Sequence, residues 1–343
     1  MQESRHSGQV RTEPENNKRD DEPQTGAPNR TSAEVISHPA RAETAGRPRQ
    51  SFARQVTEDE EVKIERVIKR VYDRRRLYRA WQAVKRNAGA AGIDKMTVED
   101  FAKREQELLE LIHEKLEAGI YRYKPARRKL IPKPGTTKER KLGIPIVMDR
   151  IVSQSLHTVL GEIYDPGFTK SNFGFRRGKS QHQAINHMKR AIAEGREWCA
   201  AIDLKSFFDK IPHGLILKLI RRKIRDERLV TLIARVLKAG TMVDGVFERS
   251  TEGCPQGSPV SPILSNIVLN ELDQELERRG HRYCRWADDF VILVKTERAA
   301  GRVMEGITAY LENELGLPVN REKSRVAPSK DVVFLGFQIL RGK

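Results

Sequence analysis

Asp288 and Asp289 stand side by side in the stretch Arg282-Tyr-Cys-Arg-Trp-Ala-Asp-Asp-Phe-Val-Ile-Leu-Val294, between short apolar runs. A third carboxylate, Asp203, closes the apolar run Trp198-Cys-Ala-Ala-Ile-Asp203 and opens Asp203-Leu-Lys-Ser-Phe-Phe-Asp209. Divalent metals that act on phosphates require hard carboxylate oxygens clustered on a rigid frame. Metal-assisted phosphoryl chemistry is therefore what these residues could do together. A paired aspartate alone says little, since Asp20-Asp21 is another such pair, in a segment with almost no large apolar residue. The neighbourhood of Asp288 is what distinguishes it.

That neighbourhood reads as a β-hairpin over 282–294, with a strand over 198–203 to carry Asp203. Around them the pattern predicts helices over 60–86, 97–118, 149–160, 181–194, 214–224, 227–238, 262–278 and 298–315, and a strand-like end over 332–340. Asp244-Gly245 between Thr241-Met-Val and Val-Phe signals another hairpin. Residues 121–141 hold nine Lys or Arg against one acid, Glu139, and read as two extended segments, 127–132 and 140–145, turning at Pro134-Gly135. A basic hairpin of this kind can lie along a phosphate chain, and Arg127 and Arg128 are its candidate contacts. The fold class is α+β, with helices packed on a mainly antiparallel sheet. Residues 1–55 read as a disordered polar tail, and 56–343 as the folded part, with a helical extension over about 60–120.

The chain has 343 residues and a formal net charge of +17, which favours a polyanionic partner. Three scattered cysteines, Cys199, Cys254 and Cys284, form no C-x-x-C spacing. They argue against a disulfide framework or structural zinc and suit a reducing cytoplasm. No apolar run suggests a membrane span. Gly174-Phe-Arg-Arg-Gly-Lys-Ser180 imitates a phosphate-binding loop, but only three residues separate its glycines, so a nucleoside-triphosphatase reading fails. Arg176, Arg177 and Lys179 remain candidates for holding a nucleic-acid backbone.

An ordered set of motifs runs through the chain: Leu130-Ile-Pro-Lys133 to Arg140-Lys-Leu-Gly-Ile-Pro145, Asp203 with Phe208, Gly253-Cys-Pro-Gln-Gly-Ser-Pro259, Trp286-Ala-Asp-Asp289, Gly316-Leu-Pro-Val-Asn-Arg-Glu-Lys323 and Phe334-Leu-Gly-Phe337. Between them lie Ala91-Gly-Ile-Asp94, Gly143-Ile-Pro-Ile-Val-Met-Asp-Arg150, Asn172-Phe-Gly-Phe-Arg-Arg-Gly178 and Ser261-Pro-Ile-Leu-Ser-Asn-Ile267. In order and spacing this set resembles the reverse transcriptase fingers and palm of group II intron-encoded proteins, over roughly 60–343.

The resemblance implies a right-hand polymerase fold and RNA-directed DNA synthesis from dNTPs onto a DNA primer, templated by RNA such as group II intron RNA. It implies two Mg²⁺ ions on Asp203, Asp288 and Asp289, serving the primer 3′-hydroxyl and the leaving pyrophosphate. Lys133 and Arg140 match positions that clamp the incoming triphosphate. Phe208 matches the position that excludes a ribose 2′-hydroxyl, with one of Phe207 and Phe208 facing the sheet and the other the nucleotide. Gln256 would bond near the sugar, and Lys323 would protonate pyrophosphate. Trp286 stands where tyrosine is usual, and Lys95 where glycine often stands. Relatives continue into a helical thumb and maturase segment, so the expectation is a C-terminally shortened form. The rival expectations are an RNA-binding splicing protein without polymerisation and a domesticated relative serving defence.

Overall fold

The computed structural model describes residues 63–132 and 139–338; the expected tail, Lys133 and the turn at Pro134-Gly135 lie outside them. A four-stranded antiparallel sheet forms the palm, in the order Arg325–Pro328, Trp198–Ile202, Asp289–Val294 and Arg282–Trp286. Its strands alternate between two cores, as the period of two requires. Cys199, Cys284, Val291 and Leu293 pack with Ala184, Ile185 and Met188 of the helix Gln181–Ala193. Ala200, Ile202, Tyr283, Phe290 and Ile292 join the main core with Ile307 and Leu311 of the helix Glu297–Asn313 and Leu272 and Leu276 of the helix Ser261–Arg278. Because both faces are covered, Phe290-Val-Ile-Leu-Val294 reads as an unbroken apolar run rather than an alternating one.

The fingers are built on a second four-stranded sheet, in the order Glu139–Ile144, Ala126–Pro132, Thr241–Val243 and Val246–Glu248. The basic hairpin and the Asp244-Gly245 hairpin, separate in sequence, thus share one sheet through the parallel pairing of Ala126 with Thr241. The helix Val147–Tyr164 follows the fingers hairpin in the chain and packs against the N-terminal helices.

Three elements differ from expectation. The helix over 60–86 is a short strand Ile64–Glu65 paired with Ile224–Arg225, a helix Val67–Val71 and a helix Arg74–Asn87. Asp73 breaks it by capping the later segment, accepting from Arg76 N at 2.9 Å. The helix over 97–118 begins at a Thr97/Asp100 capping box but divides into Val98–Lys103 and Glu105–Glu117 at Arg104. The strand-like end is a hairpin, Val333–Phe334 with Phe337–Gln338, turned by Leu335 and Gly336 at φ 55° and 80°; residues 339–343 are not described. Among the described residues no helix is long and apolar enough to cross a membrane.

Candidate active site

The carboxylate pair lies at the tip of the palm hairpin. Trp286 ends one strand opposite Asp289, which begins the next, so Ala287 and Asp288 make a two-residue turn. Ala287 has φ 57°, the left-handed backbone that tight hairpin turns require. Asp203 follows the adjacent strand one step beyond the Ile202–Phe290 pair, which brings it alongside Asp289.

Asp203 is gripped by a segment far along the chain. Its backbone N donates to Ser324 Oγ at 3.0 Å and its carbonyl accepts from Asn320 N at 2.8 Å. Asn320 Nδ2 donates to Asp203 Oδ2 at 3.0 Å, and Lys323 Nζ lies 3.8 Å from the same oxygen. Sequence reasoning assigned a role to Lys323 in this block and missed Asn320 and Ser324, although both belong to or adjoin the quoted motif.

A second set of missed residues lies beneath the turn. Arg285 is fully buried and forms an ion pair with the equally buried Asp273, its Nε donating to Oδ1 at 2.8 Å. Its Nη1 also donates to Ala287 O and to Asn266 Oδ1, each at 2.9 Å. Asn266 Nδ2 in turn donates to Gly174 O at 2.9 Å. A Cβ on Gly174 would fall 2.1 Å from Ala287 N, so only glycine allows this strand of loop to pass under the turn. The Asn172-Phe-Gly-Phe175 motif is therefore a seat for the hairpin tip.

Asp203, Asp288 and Asp289 line one open cavity of about 840 Å³ with Arg140, Asn320 and Lys323. A second cavity, about 680 Å³, shares Arg140, Ser206, Phe207 and Asp288 with it and adds Phe175, Phe208 and Gln256. Burial pushes the Asp288 carboxyl above its ordinary range and Asp203 adds to this, against a backbone hydrogen bond and the cations Arg140 and Arg285. Asp289 is pushed up to about 6, first by burial and then by Asp288 and Asp203, against Lys323 and Arg140. Excess negative charge is thus held in one wall. Among the described residues no three His, Cys, Asp or Glu side chains are drawn together tightly enough to hold an ion unaided. The three carboxylates expected to hold metal share one cavity wall and do not form a closed cage.

The other expected residues divide. Phe207 is buried at 3% exposure, while Phe208 lines the second cavity with its ring edge-on to Phe175 at 6.4 Å. Both sit on a helical turn, Phe207–Lys210, not on a strand. Gln256 lies in the same cavity and donates through Nε2 to Asp209 Oδ1 at 2.6 Å. Arg127 is engaged internally, donating to Ala91 O at 2.7 Å. Arg176 is too: its side chain is 9% exposed against Asp165 and donates to Thr169 O and Asn172 O. These two act as braces, which sequence spacing could not reveal because their partners are carbonyls and a carboxylate in loops. Arg128 pairs with Glu248 at 3.0 Å, Arg177 is exposed, and Lys179 lies over the Phe173 ring.

Comparison with known proteins agrees with this geometry. Residues 131–339, which contain all three carboxylates, match the family described as reverse transcriptase (RNA-dependent DNA polymerase). Protein YkfC of Escherichia coli K12 is 35% identical over 272 residues, covering 68% of this chain and 71% of that one. The group II intron-encoded protein LtrA of Lactococcus lactis subsp. cremoris is 28% identical over 366 residues, covering 85% of this chain. The match spans 60% of LtrA's own length. Telomerase from Candida tropicalis, solved with a fragment of telomeric RNA, shares the fold at a TM-score of 0.51 and 13% identity, over 71% of this chain and 47% of that one. The palm carboxylates, their supporting motifs and the family match coincide on one span, and the chain belongs to the reverse transcriptase (RNA-dependent DNA polymerase) family.

Proposed function

We propose that the protein is an RNA-directed DNA polymerase of group II intron type, which extends a DNA primer from dNTPs by copying RNA. One observation carries the reading: the cavity walled by Asp203, Asp288 and Asp289 shares Arg140, Ser206, Phe207 and Asp288 with the cavity lined by Phe208 and Gln256. A primer end and a nucleotide need adjoining places of this kind.

The donor set suits Mg²⁺, which binds through one or two carboxylates and completes its shell with water and substrate phosphate oxygens. Asp203, Asp288 and Asp289 would hold two such ions, whose charge supplies Lewis-acid assistance at the primer hydroxyl and the leaving pyrophosphate. Arg140 borders both cavities and offers a guanidinium to the triphosphate, whose oxygens it can meet in bidentate fashion; Lys133 shares this role. Lys323, whose Nζ lies 3.8 Å from Asp203 Oδ2, gives a proton to pyrophosphate. Phe208 fills the space a ribose 2′-hydroxyl would need, and Gln256 bonds the sugar. Arg128, Arg177 and Lys179 attract the template backbone. Group II intron RNA is the natural template, since LtrA is an intron-encoded protein. The buried free cysteines fit a cytoplasmic setting.

Primer extension on an RNA template with Mg²⁺ and dNTPs tests the reading. Wild-type protein is expected to extend, and Asp288→Asn with Asp289→Asn to abolish synthesis while RNA binding survives. RNA binding without any wild-type extension would instead favour a splicing or assembly protein. Phe208→Ala is expected to raise ribonucleotide incorporation on the order of tenfold, the scale of a lost steric contact in a pocket.

A further inference from the structure

We infer that Asp209 is a positioning residue that sets which way the Gln256 amide faces in the nucleotide cavity; the inference rests on the nucleotide-binding role proposed for Gln256. The loop bearing Gln256 is wedged between the fingers and the helical turn Phe207–Lys210. Gly143 N donates to Gln256 O at 2.8 Å, Cys254 N to Phe208 O at 2.7 Å and Gly253 N to Ile211 O at 2.7 Å. A Cβ on Gly257, where φ is 101°, would fall 2.2 Å from Gly143 O, and one on Gly253 would fall 2.7 Å from Phe208 O. The backbone on either side of Gln256 is therefore fixed.

Its side chain is not fixed by these contacts. An unbranched side chain with an amide end keeps several rotamers and two opposite faces for that amide. Asp209 removes this freedom, because its Oδ1 accepts from Gln256 Nε2 at 2.6 Å. A carboxylate can only accept, so the amide must turn its NH₂ toward Asp209 and leave Oε1 as the group free to accept elsewhere. A sugar hydroxyl donates to such an oxygen. Asp209 is suitably held: its N donates to Ser206 O at 2.9 Å, and the next residue, Lys210, pairs with Glu252. It stands where two cavities meet, lining both the nucleotide cavity and a polar one of about 290 Å³ behind the loop. It touches no reacting atom in this arrangement and acts through Gln256.

Steady-state primer extension by the full chain tests this with Asp209→Ala, Asp209→Asn, Gln256→Ala and the Asp209→Ala/Gln256→Ala double variant. Asp209→Ala is expected to raise the KM for dNTP about fivefold with little change in kcat, the scale of one typical hydrogen bond. Asp209→Asn keeps an accepting Oδ1 and should return KM to within about twofold of wild type. The double variant should match Gln256→Ala alone, as two residues acting through one contact do not add. An additive double variant, an effect confined to kcat, or failure of Asn to rescue overturns the inference while the polymerase reading stands. An unchanged KM in Gln256→Ala removes the role of Gln256 and this inference with it. A wild-type chain that does not extend primers removes the polymerase reading itself.

Discussion

The palm turn and the root of the fingers each rest on a buried acidic side chain, and they hold it by opposite means. Beneath the turn, Asp273 faces Arg285 across a fully buried ion pair. Beneath the fingers, Asp149 is 2% exposed and has neutral donors alone, Tyr121 Oη at 2.7 Å and Lys124 N at 2.9 Å. Burial pushes its carboxyl up to about 7, against those two hydrogen bonds and with Asp94 nearby adding to the rise. One support is made with opposed charges, the other with uncharged donors. The difference suits what each carries: a turn whose carboxylates must stay in register, and a strand, Ala126–Pro132, that leads out to an exposed basic hairpin.

The largest effect should come from breaking the palm support. Arg285→Met strands the Asp273 carboxylate in the core and should cost about 3–5 kcal/mol, read as a lower urea midpoint. Adding Asp273→Leu removes the stranded charge and should recover most of that loss, because apolar replacement of a buried pair is often close to neutral. Synthesis should not recover with it, since Ala287 O and Asn266 Oδ1 have still lost their donor. If the double variant polymerises as wild type does, the pair contributes to stability and not to the placement of Asp288.

This support was invisible in the sequence for a physical reason. The hairpin over 282–294 was legible because short apolar runs on either side of a turn are local properties. Arg285 looked like an ordinary charged residue in a strand, and Asp273 like one acid among several on a helix whose surface is partly polar. Their meeting depends on how that helix crosses the sheet. Asn320 escaped notice similarly, since its partner Asp203 lies 117 positions away. The helix starts expected at 97, 181 and 298 fall within two residues of the side-chain caps Thr97, Ser180 and Thr296, whereas the break at Asp73 was overridden by an apolar stripe that continues across it. The carboxylate trio and the Phe208–Gln256 neighbourhood were readable from motif order; which arginines are braces was not, because Arg127 and Arg176 use loop carbonyls that carry no sequence signature.

The fingers support should reveal itself through pH. Asp149 has its folded value raised above the unfolded 3.8 to about 7, so its contribution is complete below about pH 4 and is lost as pH rises through 7. Native protein binds the extra proton in that window, so stability should fall with rising pH by up to about 1.4 kcal/mol per unit. Asp149→Asn keeps an acceptor for Lys124 N and a donor for Tyr121 Oη but has no proton to lose. Its denaturation midpoint should therefore vary less between pH 4 and 8 than that of wild type. Equal slopes in the two proteins would mean that Asp149 does not carry the pH dependence, and the contrast with the palm would fail.

The smallest effect belongs to the outer end of the fingers, where Leu130 and Ile131 are 46% and 41% exposed. An apolar side chain already in water loses little when replaced, so Leu130→Ser should leave unfolding within about 0.5 kcal/mol of wild type. Any change in synthesis must then come from substrate. Exposed Leu130, on the same face of the strand as Arg128, can cover a base or sugar while Arg128 attracts the phosphates beside it, so the template–primer Kd should weaken about twofold, less than the ~1–3 kcal/mol of a stacked aromatic. A stability loss comparable to that of Arg285→Met would mean the fingers hairpin is packed as firmly as the palm turn, and the division into a fixed palm and an outlying basic hairpin would not hold.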